Sequence, residues 1–199
     1  QSYAKQLEEL NADAFGWADF WVHALAPLGY SVWDITANAK PMQMSWAPEH
    51  GVNPGRERWL TEIAFAQVVH YAPDVLFMDD YSNFPENWIR EVRAACPSIR
   101  LVLGWCGAPY DDDSVFRAYD VVLSCIPELV REFRDKGHRA FQLHHAFDPR
   151  IAADYDSRAS WRGRGRSSRR GAPACRHGRG VPRPPRAREA ALGAHGEGV

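Results

Sequence analysis

The sequence predicts an α/β domain built on a doubly wound parallel sheet, followed by a disordered Arg/Gly-rich C-terminal tail. Three observations predict it. Short, continuous apolar runs recur at Val75–Met78, Leu101–Trp105, Val121–Leu123 and Ala140–Leu143, and uninterrupted apolar strands suit a parallel sheet covered on both faces, because neither side then meets water. Helix-patterned segments separate these runs, so successive strands are joined by crossovers rather than hairpins. From about Ser157 the pattern stops: residues 157–199 hold 11 Arg, 8 Gly, 7 Ala and 4 Pro, with too few large apolar side chains to form a core.

Taken in order, residues 2–11 read as a helix. A second helix spans 17–28, with Phe20, Trp21, Ala24, Leu25 and Leu28 at i, i+3, i+4 spacing and Gly29 as its stop. Tyr30–Ile35, rich in β-branched and aromatic residues, reads as a strand. The segment from Pro41 to Gly55, with its prolines and glycines, predicts a short helix plus a loop. Glu57–Tyr71 is a long helix with Trp59, Ile63, Ala66 and His70 on one stripe, which makes His70 a core histidine. After the strand at Val75–Met78, Pro85 opens a helix that runs to Ala95, because proline is pre-set for a first turn. Another helix, Pro127–Lys136, is ended by Gly137.

The chain has 199 residues and a formal net charge of −1. That near-neutrality is a cancellation. Residues 1–156 carry 13 basic against 23 acidic side chains, a net −10, while residues 157–199 carry 11 against 2, a net +9. We therefore divide the chain into a domain at 1–151 and a basic tail at 152–199. The tail contains Arg-Gly runs but only Trp161 as an aromatic for base stacking, so nucleic acid is not expected as a partner. Residues 157–199 lack Lys, Asn, Ile, Phe, Tyr and Met altogether. Those residues have AT-rich codons, so a GC-rich gene read out of frame is the expected origin of the tail.

No run approaches the roughly 18–20 apolar residues of a membrane helix, and no secretory pattern opens the chain. The cysteines Cys96, Cys106, Cys125 and Cys175 have neither C-x-x-C spacing nor a secreted framework, so free thiols and a cytoplasmic location are expected.

Ligands of open parallel sheets bind beyond the carboxyl ends of the strands. The residues there include Asp79, Asp80 and Tyr81, then Trp105 and Tyr110, then His144, His145 and Phe147. Carboxylates accept from hydroxyls and aromatic faces pack on C–H surfaces, so the mixture suits a carbohydrate or another hydroxylated ligand. Asp79 and Asp80 also read as ordinary polar strand ends, and of the two adjacent histidines alternation lets at most one face a cleft. Asp111–Asp113 contain a D-x-D spacing that can hold a divalent cation, but three carboxylates ahead of Val115 and Phe116 read more simply as a helix N-terminal cap. No metal or cofactor is predicted. No G-x-G-x-x-G follows any strand, and no P-loop, nucleophile elbow or zinc spacing is present.

From Ser2 to about Ile151 the chain resembles the N-terminal half of bacterial GT-B glycosyltransferases of the spore-maturation-protein, family 1-like type. The resemblance is carried by SYAKQLEEL at 2–10, FGWADFWVHALAPLGY at 15–30, PDVLFMDD at 73–80, YDVVLSCIPELVREFRDKGH at 119–138 and LHHAFDPRI at 143–151. It implies a Rossmann-like acceptor-side domain missing its first strand, and a nucleotide-sugar donor bound mainly by a second domain that this sequence lacks. It further implies transfer to an acceptor that is a glycan, a protein or a small molecule, with this chain inactive alone. From their strand-end positions, Asp80 and His145 are the expected catalytic residues, with Tyr81, Trp105, Tyr110, Asp79 and His144 lining the substrate. The competing expectation is a non-catalytic α/β module that binds a hydroxylated ligand or a partner protein.

Overall fold

The computed structural model describes residues 1–14, 18–146 and 148–153. Of the expected disordered tail at 152–199, Ala152 and Ala153 are helical instead and the rest lies outside the described residues, as do Phe147 and Cys175. The chain divides after Asp156, and everything below belongs to its first unit.

The elements run in the order α1 (Tyr3–Ala12), α2 (Phe20–Leu25), α3 (Lys40–Glu49), α4 (Trp59–Tyr71), β1 (Val75–Met78), α5 (Glu86–Ala95), β2 (Leu101–Trp105), β3 (Val121–Ser124), α6 (Pro127–Asp135) and β4 (Ala140–Gln142). Short 3-10 turns lie at Ala26–Leu28 and Ser114–Ala118. The four strands form one all-parallel sheet in the order β1-β2-β3-β4, with Val75 opposite Leu101, Leu103 opposite Val121 and Val122 opposite Ala140. The order advances in one direction from β1. The reversal that defines a doubly wound sheet is not among the described strands.

Local chemistry explains the elements that matched expectation. Ser2 caps α1, its Oγ accepting from the Lys5 N–H at 3.4 Å. In α5, Pro85 sits at the N-cap, Glu86 faces the N-terminal dipole, and Trp88, Ile89 and Val92 are buried together. Each such side chain contributes roughly 1.5–3 kcal/mol of burial. The Trp88 indole N–H donates to the Thr61 carbonyl at 3.0 Å and ties α5 to α4. Pro127 begins α6, and Gly137, at φ +88°, supplies the left-handed stop. Asp120 links two layers: its carboxylate accepts from the Val102 N–H at 2.7 Å and from Arg93 of α5 at 3.0 Å.

Two cores result. The larger takes Leu76, Met78, Val102, Val122 and Ala140 from one face of the sheet and packs them against α4, α5, α6 and the Ser114–Ala118 turn. The smaller holds Tyr3, Met42, Trp46, Ala47 and Ile63 among α1, α3 and α4.

Four expectations need correction. The sheet is not covered equally on both faces: on the second face Val75 and Phe141 are 48% and 50% exposed, and Phe77, Leu101, Leu103 and Leu123 are partly exposed. Tyr30–Ile35 is not a strand; composition favours extension, but a strand needs a ladder partner, and this segment pairs with none of the described strands. The apolar stripe of the second helix is only half covered: Trp21 packs edge-on against Phe77 of β1 at 5.3 Å and Phe20 and Leu25 are half-buried, but none is fully buried and Leu28 is 70% exposed. His70 is exposed rather than core, since α4 serves both cores and turns Ile63, Ala64, Gln67 and Val68 inward instead.

Candidate functional site

The carboxyl ends of β1 and β2 gather the expected residues unevenly. Asp79 and Asp80 follow β1 directly. The Asp80 carboxylate is engaged locally: Oδ1 accepts from the N–H groups of Ser82 and Asn83, both at 3.0 Å, and Oδ2 from the Asn83 amide at 2.7 Å. This is an Asx-type turn that closes the strand end. Asp79 exposes more than a third of its surface, yet its carboxyl is crowded by protein; burial first, with the Asp80 charge adding, raises its pKa against the pull of its own N–H.

Tyr81 reaches across to the loop after β2, its hydroxyl 3.4 Å from the Ala108 carbonyl and 3.5 Å from that of Pro109. Burial first, then the neighbouring Cys106, raises its pKa. Trp105 is buried at the end of β2, and His145, exposed in the coil beyond β4, packs edge-on against it with ring centroids 5.2 Å apart. Gly107 makes room for this indole, since a Cβ there would lie 2.8 Å from the Trp105 ring nitrogen.

Two expected residues stand apart. Tyr110 stacks on Phe133 of α6 at 5.3 Å, donates to Glu132 at 2.7 Å and accepts from Lys136 at 3.1 Å. Its hydroxyl is therefore committed to a surface network rather than turned to the strand ends. His144 is exposed next to His145, so both histidines face solvent instead of alternating. Asp112 accepts from the Ser114 N–H at 2.9 Å and from its hydroxyl at 2.6 Å, an Asx turn that leads into Ser114–Ala118, whose N-cap residue Asp113 makes no side-chain capping bond. Among the described residues, no group of three His, Cys, Asp or Glu side chains is arranged to hold a metal ion. Cys96, Cys106 and Cys125 are free, and no described helix is long and apolar enough to cross a membrane.

Sequence reasoning missed two residues. Tyr119 precedes β3, and its ring crosses Gly104 so closely that a Cβ there would fall 1.9 Å from it. The ring carries its hydroxyl through the core toward the strand ends, where burial, then Asp80, Cys106 and Asp79, raise the hydroxyl pKa. Tyr119 is only 7% exposed and its hydroxyl has no hydrogen-bond partner. Asp34, in the unpaired segment before α3, has a buried Oδ2 without a partner; burial first, then the charge of Asp19, pushes its pKa up to about 6. A glycine inside an apolar strand was the one available signal for Tyr119, because it marks a close approach. Asp34 gave none beyond a carboxylate at the end of an apolar run.

Nearby, Arg150 pairs with Asp19 at 2.8 Å and with Asp148 at 2.6 Å, and Asp19 also meets His23 at 2.9 Å. These contacts tie the start of the helical stretch at 149–153 to the N-terminal end of α2.

Compared with known proteins, the chain matches no family model, no curated protein and no solved structure.

Proposed function

We propose that this domain is the Rossmann-like, acceptor-side half of a cytoplasmic GT-B glycosyltransferase, which moves a sugar from a nucleotide-sugar to a hydroxylated acceptor. One observation carries the reading. Asp79, Asp80 and Tyr81 follow β1 directly, and the neighbouring β2 ends in Trp105 with His145 packed edge-on against it. That combination offers acceptors for hydroxyl protons and aromatic surface for a sugar face. His145 is the group placed to take the proton as an acceptor hydroxyl attacks the anomeric carbon and the nucleotide diphosphate leaves. Asp79 and Asp80 hold the acceptor. Stabilising the leaving diphosphate falls to the donor-binding half, which the resemblance implies.

In a full-length homologue, His145→Ala should lower transfer from a nucleotide-sugar by at least about 10²-fold, the scale of a lost acid–base group, and Asp80→Ala should lower it as well by loosening the acceptor. Unchanged transfer in both would end the assignment. The 199-residue chain should neither transfer nor hydrolyse, and saturable binding of a nucleotide-sugar to it would contradict the division of labour.

A second reading, a binding module without catalysis, is favoured by the three hydrogen bonds that occupy Asp80. It is distinguished by retained acceptor affinity with no transfer in the full-length form.

A further inference from the structure

The expectation that Trp105 lines the substrate conflicts with its burial. Only 7% of the residue is exposed, too little free ring to take a sugar face, so the accessible aromatic surface beside the carboxylates falls to the partly exposed Tyr81. The Trp105 ring instead meets His145, edge-on with the centroids 5.2 Å apart.

That contact reaches across the sheet. β2 and β4 are separated by β3, and two strand spacings amount to roughly 10 Å. The Leu143 N–H still donates to the Ser124 carbonyl at 3.0 Å, which keeps the chain alongside β3 until two residues before His145. An indole is the largest side chain that can extend over the end of β3 to meet an imidazole there. The backbone makes room for the same ring. A Cβ at Gly107 would lie 2.8 Å from the Trp105 ring nitrogen and 3.3 and 3.4 Å from Cε2 and Cζ2, so a larger residue would push the indole from its place. His144 is also exposed, and among the described residues no aromatic ring packs against it.

We infer that Trp105 is a positioning residue of the strand-end site: its indole holds His145, rather than His144, over the end of β3 and orients it toward an acceptor hydroxyl at the end of β1, while Gly107 leaves the space that the indole needs. Trp105 acts through the imidazole and does not touch the sugar. The inference rests on the proposed role of His145 as the base.

Two arms test it. In the 199-residue chain, with the imidazole resonances assigned by H144Q and H145Q, a nuclear Overhauser contact should join the His145 ring protons to the Trp105 indole. Gly107→Ala and Trp105→Leu should abolish it and move the His145 resonances toward those of His144. In a full-length homologue both variants should lower kcat by about tenfold or more, the scale on which a misplaced catalytic group is felt, with KM for the acceptor changed by less than about twofold. Trp105→Phe, which keeps an aromatic face, should recover most of that loss. If Trp105→Leu does not fold, Gly107→Ala and Trp105→Phe still decide. No His145–Trp105 contact in the wild-type chain, or full kcat in a Gly107→Ala variant that has lost the contact, would overturn the inference. Transfer that survives His145→Ala would remove the glycosyltransferase reading of the base even where the ring contact is present, so the two failures are told apart.

Discussion

Replacing Tyr119 by phenylalanine should make the protein more stable. The ring would keep its edge contact with Phe116, at 5.8 Å between centroids, and its passage over Gly104. Only the hydroxyl is lost, and that hydroxyl is buried without a hydrogen-bond partner. A buried polar group in that condition costs about 1–3 kcal/mol relative to its hydrated form. Part of the gain is offset by relaxation around the vacated oxygen, so we expect a net stabilisation of about 1–2 kcal/mol. For a domain of this size that raises Tm by about 2–8 °C. Urea unfolding followed by tryptophan fluorescence, alongside calorimetry at pH 7, measures it, with the m-value unchanged if only the native state is affected. A loss of about 1 kcal/mol or more would mean that the hydroxyl does have a partner in the unliganded protein. The reasoning that counts Tyr119 as an unused group at the strand ends would then fail.

The remaining predictions are of the same kind. Asp34→Asn should stabilise the protein increasingly as pH rises from 4 to 7: a carboxyl raised from 3.8 to about 6 favours the folded state below its unfolded value and loses that contribution through pH 6. At about 1.36 kcal/mol per unit the ceiling is about 3 kcal/mol, reduced to about 1–2 by partial solvent screening, and a variant effect that stays flat across this range would refute it. Gly104→Ala should destabilise by about 1–3 kcal/mol or more through the clash with the Tyr119 ring. Its cost should shrink by over about 1 kcal/mol in a Tyr119→Ala background, and strict additivity in denaturant melts would sink that explanation. Asp80→Ala should cost about 1 kcal/mol by removing the turn acceptor, while Asp80→Asn, which keeps Oδ1 for the Ser82 and Asn83 N–H groups, should cost less than half of that in the same assay.

Much of the α/β core could be read from the sequence because its signals are local. β1, β2 and α5 fall within a residue of their expected limits, since an apolar run bounded by Pro73 and Asp79, or a helix opened by Pro85, needs no distant partner to be recognised. Tyr30–Ile35 failed because strand composition is only permission to pair, and the ladder that would make it a strand is not formed. The stripe on α2 was met only in part: an apolar face is buried as far as the element opposite it reaches, and here Trp21 meets Phe77 of β1 while Leu28 stays exposed. His70 failed because α4 has two cores to serve, and one stripe cannot describe a helix that is wedged between them.

The site divides along the same line, and the division bears on what the strand ends do. Position alone found Asp79, Asp80, Tyr81 and Trp105, because the end of a parallel strand is fixed by the strand itself. Position could not say that Asp80 would be absorbed by its own turn, or Tyr110 by Glu132 and Lys136, since both depend on what the side chain meets. The groups left with capacity are those that sequence rules passed over or could not rank: the Tyr119 hydroxyl, the Asp34 carboxyl, Asp79, and the exposed His145 lying on Trp105. Tyr119 and Asp34 break the rule that buried polar atoms are paired. Departures from that rule collect where a partner arrives from outside, so those two residues make a sharper marker of the strand-end site than the acidic pair that first drew notice.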